Sequence, residues 1–456
     1  MTEEQSKNRH QEAGHSAFAD FLHSEVAGSI VLLVCTIAAL IIANSALAED
    51  YFRIIKTYVS INWNGEPVTL FGTQLTLTVQ HWVNDGLMVI FFFVVGLEIK
   101  REVVIGELSS LRVAALPISA ALGGMIVPAL FYFALNPSGP AANGWGVPMA
   151  TDIAFAIGLL ALFGSRAPIS LKVFLTALAI ADDLGAIAVI GIFYTDQVRF
   201  AALLSAGGFL AGIVLLGRLG VRQGWGYLLL AVGVWICVLS SGVHATVAGI
   251  LVAMLVPVKS NIDPAAFIER AKRSLGKLKS VKLTRRSAVD DPAQMDALDE
   301  LYLSVEDMRP SGLALERQLH PVQAFWVLPL FALFNAGIPL DGASISSATS
   351  SPISWGIILG LVLGKPLGVF LFSWLAVKSG HASLPAGVSW GQLIGVGALA
   401  GVGFTMSIFI SELAFAPELV NTAKVGILAA SVGAGALGCL ILSRTLPRAA
   451  DSPSDY

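Results

Sequence analysis

The chain has 456 residues, 55% of them hydrophobic and 13% charged, with a formal net charge of −3. A chain this apolar is excluded from the ordinary soluble class; its net charge says little, since orientation follows the placement of Lys and Arg, and no nucleic-acid partner is expected. Cys35, Cys237 and Cys439 lie scattered in apolar segments, spaced for neither a disulfide framework nor a metal site.

Residues 1–27 read as a cytoplasmic N-terminal segment. The first 25 are polar, hold Glu3, Glu4, Glu12 and Asp20, and do not read as a cleavable signal peptide. Phe18, Phe21, Leu22 and Val26 recur at helical spacing beside His15, Asp20 and His23, the pattern of a short helix on the membrane face. Eight apolar spans then fill 28–257, at about 28–47, 80–104, 113–135, 146–163, 169–194, 199–217, 225–240 and 243–257. Between the first two, Asn64-Gly65 separates a short run ending at Trp63 from an alternating run to Val79. That pattern predicts either an extracytoplasmic β-hairpin over about 58–79, able to pair edge to edge with a second copy, or a capped surface loop; Pro67 weakens the return strand. A charged insertion follows at 258–319, Lys and Arg in its first half, Asp and Glu in its second. Such blocks read as a solvated, self-pairing disordered region, and the basic half can touch anionic lipid. Spans nine to twelve fill 320–444, at about 321–339, 353–377, 391–413 and 422–443, before a tail at 445–456. The expectation is an all-α polytopic membrane protein of about twelve transmembrane helices.

Basic residues recur at alternate loops: Lys100, Arg101 and Arg112, then Arg166 and Lys172, then Arg218 and Arg222, the insertion, Lys378, and finally Arg444 and Arg448. By the positive-inside rule both termini are cytoplasmic. Spans three to five and ten to twelve resemble each other: Gly144-Trp145-Gly146 and Ser389-Trp390-Gly391 open the middle members, and Lys172-Val173 and Lys424-Val425 begin the last. Seven spans apart, the copies are inverted. Val147-Pro148-Met149-Ala150-Thr151-Asp152 in span four, and Gly395, Gly397, Gly401 and Gly403 ahead of Thr405 in span eleven, predict helices broken inside the membrane.

Four ionisable groups sit at similar depth: Asp152 at the first break, Asp182 and Asp183 mid-way along span five, and Lys365 mid-way along span ten. A carboxylate at the bilayer centre costs at least about 2.5–3.5 kcal/mol, so these charges must meet or be neutralised. A static buried network, or simple protonation, explains each residue singly; four such groups on three spans, beside two broken helices, point to ion movement. Asp183, Asp152, Thr151 and unwound carbonyls are oxygen ligands that suit a hard monovalent cation, for which protons compete. Neighbouring helix positions diverge by about 100°, so Asp182 and Asp183 need not act alike: one can face Lys365 while the other lines the ion path.

Asp182-Asp183-Leu184-Gly185-Ala186, Ala150-Thr151-Asp152-Ile153-Ala154-Phe155, Gly364-Lys365-Pro366-Leu367-Gly368, Ser240-Ser241-Gly242-Val243-His244-Ala245-Thr246 and Gly403-Phe404-Thr405-Met406-Ser407-Ile408-Phe409 together make the chain resemble the NhaA-type Na+/H+ antiporter family over nearly its whole length. The resemblance implies an electrogenic antiporter of the bacterial inner membrane, exporting Na+ or Li+ and importing more than one proton per cation, without a cofactor. It implies that Asp182 and Asp183 carry the exchange, that Asp152 and Lys365 balance the dipole ends of two crossed broken helices, and that Lys365 pairs with Asp182. It further implies a homodimer joined through the first extracytoplasmic loop, and pH sensing by Glu98, Arg101, Glu102, Glu316 and His320. Read from the residues alone, that last group is a solvated helix end in which Glu98 and Glu102 are like charges one turn apart. Arg317 stands where the family pattern admits a histidine, and the insertion is longer than the family's; both bear on the pH threshold. His244 reads as a packing or gating residue.

Two other classes were weighed. An intramembrane aspartyl protease needs facing Asp residues on separate spans, typically in Gly-x-Gly-Asp, which is not present. A cation-coupled solute symporter on similar architecture would show Na+-driven solute uptake.

Overall fold

The computed structural model describes residues 26–447 except 65, 72, 196–197, 220, 222–223, 260–261 and 280–291. The surface helix expected around Phe18 and most of the C-terminal tail lie outside the described residues. Helices dominate because an apolar segment away from water must satisfy its own backbone, and an α-helix does so internally.

In chain order they are α1 (Val26–Ala43) and α2 (Ala48–Lys56); α3 (79–104), π-helical at Trp82–Leu87; and α4 (Leu111–Leu135). A 3-10 segment (Pro140–Met149) then leads into α5 (Ile153–Ala161). There follow α6 (Ile169–Phe193), α7 (Phe200–Arg218), α8 (Gly224–Ser241) and α9 (Val247–Leu255). The insertion contributes α10 (Pro264–Lys279) and α11 (Pro292–Met308). Next come α12 (311–335), π-helical at Gln323–Val327, and α13 (Gly342–Ser350). Last are α14 (Pro352–Lys378), π-helical at Gly360–Gly364, α15 (Trp390–Leu399), α16 (Phe404–Ala414) and α17 (Pro417–Thr445).

Among the described residues eight helices are long and apolar enough to cross a membrane, nine if α15 and α16, bent by 52° across a short break, make one span. The three remaining expected spans are helical as well: α3 and α12 carry π-helical interruptions, and α9 is short.

Two features of packing place the site. α14 lies along α4, and the two backbones touch at Gly123 and Gly368; a Cβ on either glycine would strike the carbonyl of the other. That approach seats Lys365, one turn before Gly368, against Gly124 of α4. α15 and α17 pack together through Gly395, Gly438, Leu399 and Leu442. Meanwhile α7, α8 and α9 share a smaller core of their own, with Ala206, Val234, Val238 and Ala248.

Two expectations need correction. Residues 58–78 are not one hairpin but a three-lobed loop. β1 (Tyr58–Ser60) pairs with β6 (Thr76–Thr78), and between them sit two further tight pairs, β2 (Asn62–Trp63) with β3 (Glu66–Pro67) and β4 (Thr69–Leu70) with β5 (Thr73–Gln74). Pro67 has no N–H to extend the return strand, so the chain turns again. Asn64 and Phe71 take left-handed φ values of 51° and 49° at the two tips. Ile61, Val68 and Leu75 close the centre: Ile61 N–H donates to Leu75 O, Val68 N–H to Ile61 O, and Leu75 N–H to Val68 O, at 2.8–3.1 Å. The insertion, for which disorder was one expectation, is ordered in its described part. The expected disorder is replaced there by two helices, with Lys277 2.7 Å from Glu300 and Arg270 3.5 Å from Asp307 between α10 and α11.

Candidate functional site

Pro148 cannot donate a helical hydrogen bond and Gly401 and Gly403 disfavour helix, so both middle spans unwind. The unwound stretches cross and serve each other's backbone. Asp152 N–H donates to Val402 O at 2.7 Å. Thr151 Oγ1 lies 2.8 Å from Ala400 O, and Ser407 Oγ donates to Val147 O at 2.9 Å.

Charges sit at the ends this crossing exposes. Asp152 Oδ1 accepts from Phe155 N–H at 3.2 Å, capping α5. Its Oδ2 accepts from Thr405 N–H at 3.1 Å and Thr405 Oγ1 at 2.5 Å, at the start of α16. One carboxylate thus faces two positive helix ends, where anions are stabilised. Lys365 does the converse: its Nζ donates to the carbonyl of Met149, where the 3-10 segment ends. The same Nζ pairs with Asp182 Oδ2 at 2.5 Å, and that oxygen also accepts from Thr151 Oγ1 at 2.7 Å.

Asp152, Asp182 and Asp183 are each 2% exposed and Lys365 is 0% exposed. One ammonium therefore faces three carboxylates. Asp182 Oδ1 and Asp183 Oδ2 have no hydrogen-bond partner. If Asp182 and Asp183 are both ionised, the single Lys365 ammonium balances only one of them, and burying an uncompensated charge is expensive. Protons or a metal ion must make up the difference. Asp183 also lines a narrow cavity of about 50 Å³, shared with Thr151, Asp152 and Thr405, which leads to Glu98, Arg101 and His320. Roughly three waters fit in such a volume.

At that end Arg101 bridges two acids, Glu102 at 2.8 Å and Glu316 at 3.1 Å, while Glu102 Oε2 accepts from Glu107 N–H at 2.9 Å. Burial raises the Glu316 pKa, opposed by the Arg101 guanidinium. His244 packs its ring edge-on against Phe409 at 5.2 Å, with Nε2 3.4 Å from Asp85. Every residue singled out from the sequence thus belongs to the crossing, the cavity or its rim, apart from His244.

Sequence reading passed over Ser407, Gln323 and a polar cluster at the far end. There Glu412 pairs with Lys424 at 2.5 Å and accepts from Gln80 at 3.1 Å, and Gln80 also reaches Asn335 at 3.0 Å. Lys424, already noted as opening the last span, and Glu412 near the end of the span before it were the available signal.

Crossed broken helices, a buried ammonium–carboxylate cluster and a water-sized path to one acid define a polytopic membrane transporter. The Na+/H+ antiporter 1 family model matches residues 19–442. The chain is 46% identical to Na(+)/H(+) antiporter NhaA of Acidithiobacillus ferrooxidans, over 96% of this chain and 100% of that one. It is 46% identical to NhaA of Oleidesulfovibrio alaskensis over 94% of each, and 44% identical to NhaA 2 of Syntrophotalea carbinolica over 95% of this chain and 97% of the relative. The chain belongs to the Na+/H+ antiporter 1 family and is a multi-pass membrane protein.

Proposed function

We propose that this protein is a secondary antiporter that exchanges Na+ or Li+ for protons across a bacterial inner membrane, for sodium and pH homeostasis. The observation that carries the reading is Asp183: a buried carboxylate with an unpartnered oxygen at the bottom of a water-sized cavity, beside Asp182, whose own charge is taken up by Lys365. An acid so placed cannot stay bare. It holds either a proton or a cation, and occupancy by one excludes the other, which is the requirement for antiport. Thr151 and Asp152 complete the oxygen set. Two acids serving one cation favour more than one proton per turnover, which makes exchange electrogenic.

The rim of Glu98, Arg101, Glu102, Glu316 and His320 is assigned to the cytoplasmic face and to pH regulation, supported by the coupling of two acids through Arg101. Both termini are placed in the cytoplasm on the loop charges. A homodimer through the first extracytoplasmic loop is supported by exposed Tyr58, Val59, Ile61 and Phe71 on a loop that Arg199 ties down by bonds to Phe71 O and Thr73 Oγ1.

The test is a pH-sensitive dye in inverted membrane vesicles. Adding Na+ should release the preformed proton gradient for the parent chain and not for Asp183→Asn. Undiminished exchange by that variant would remove Asp183 from the ion site.

A further inference from the structure

We propose that Gln323 is a cation-coordinating residue of the access cavity, whose carboxamide oxygen takes a partly dehydrated Na+ below the rim and passes it to Asp183. The inference rests on the exchange reading above and adds a neutral ligand to it.

Gln323 Oε1 is shielded from solvent and has no hydrogen-bond partner. Leaving an amide oxygen in that state costs about 1–3 kcal/mol, so a cavity water or a cation has to meet it. It lines the same narrow cavity as Asp183, whose Oδ2 is likewise unpartnered. Gln323 opens the π-helical stretch of α12, two residues after Pro321. Such a stretch inserts an extra residue per turn and re-aims the side chains around it, and it recurs at functional sites.

Position along the helix gives the order of groups. His320 and Gln323 share one face of α12 lining the cavity, about 4.5 Å apart in depth. On α3, Arg101 and Glu98 are staggered the same way. The cavity wall is otherwise largely apolar, with Phe91, Val95, Ile180 and Leu328, and its other oxygens come from Thr151, Asp152, Thr176 and Thr405. A cation stripped of water over that stretch would incur several kcal/mol, unless oxygen atoms take over its coordination. An amide carbonyl is a hard, neutral oxygen of the kind that binds such ions.

Gln323 differs from the acids of the cavity, Glu98, Asp152 and Asp183, in being neutral. A carboxylate there would bind protons as well as Na+, whereas an amide holds the cation alone. Gln323 therefore contributes to cation affinity without entering the proton competition.

The experiment measures exchange in inverted vesicles against Na+ concentration at several pH values, for Gln323→Met, Gln323→Glu and Asp183→Asn. Gln323→Met keeps the bulk and removes the oxygen. Its apparent KM for Na+ should rise roughly fivefold, about 1 kcal/mol of lost coordination. That factor should be the same at every pH, with the maximal rate falling less and the pH midpoint unmoved. Gln323→Glu should lower KM at alkaline pH and make it pH-dependent. An unchanged KM in Gln323→Met, or one that moves only together with the pH midpoint, overturns the proposal. If the Met variant does not fold, a KM in Gln323→Glu equal to that of the parent at every pH overturns it instead. Exchange retained by Asp183→Asn sinks the parent reading; a dead Asp183→Asn beside an unaffected Gln323→Met sinks this inference alone.

Discussion

Asp182 and Asp183 are chemically identical and adjacent, yet their surroundings give them different work. Asp182 spends one oxygen on Lys365 and Thr151, while Asp183, turned by about 100°, opens onto the cavity. Both positions were legible in the sequence because a charge in an apolar run is costly and stands out. Gln323 was not, since an amide near a helix start is ordinary until its surroundings are known. Glu316 carries a pH prediction at this scale. Burial raises its pKa above the ordinary glutamate value of 4.5. The folded state thus binds this proton more tightly than the unfolded state does. Its contribution to stability is full below that ordinary value and is lost as pH rises through the raised one. Glu316→Gln should flatten the decline of Tm with pH over that window, read by thermal melts in detergent. An unaltered slope would show that Glu316 does not titrate with folding.

Among the elements, the broken spans were visible from Pro148 and from the glycines of span eleven, because each removes a helical bond or its preference. Their partners were not. Thr405 and Asp152 are 253 positions apart, and no local pattern says that one N–H caps with the other's carboxylate. The helix pair α4–α14 holds Lys365 in place through Gly123 and Gly368. A Gly368→Ala change should force the pair apart, cost about 1–3 kcal/mol as overpacking does, and lower exchange by misplacing Lys365. Gly207→Ala, on a helix face with nothing within 4 Å, is the control and should be neutral. Equal melting temperatures for the two variants would show that the glycine contact does not constrain α14. The loop at 58–78 was only half legible: Asn64 announced its first turn, but the second turn at Phe71 follows from Pro67 and from closure at Ile61, Val68 and Leu75, which tertiary contacts decide.

For the whole molecule, the access cavity runs from the rim at Arg101 to Asp183, and the opposite end is held by Glu412, Lys424, Gln80 and Asn335. The cavity and the polar cluster thus occupy opposite sides of the crossing. Dimerisation belongs to the same scale. Replacing 61–75 by a two-residue turn, which leaves β1 paired with β6, should convert the particle to a monomer in light scattering while exchange persists. A dimer that survives the deletion would place the interface elsewhere.

Sequence alone determined that the chain lies in a membrane, where its apolar segments fall, and which four charges must be reconciled. Those properties are local: hydropathy over some twenty residues and the cost of a charge within it. Tertiary structure decided which oxygen each cation meets. It chose Asp182 for Lys365, left Asp183 facing the cavity, folded the insertion on itself and brought Gln323 into the path. These outcomes depend on contacts between segments hundreds of residues apart, whose geometry exists only once α4, α6, α14 and the two crossed spans have packed.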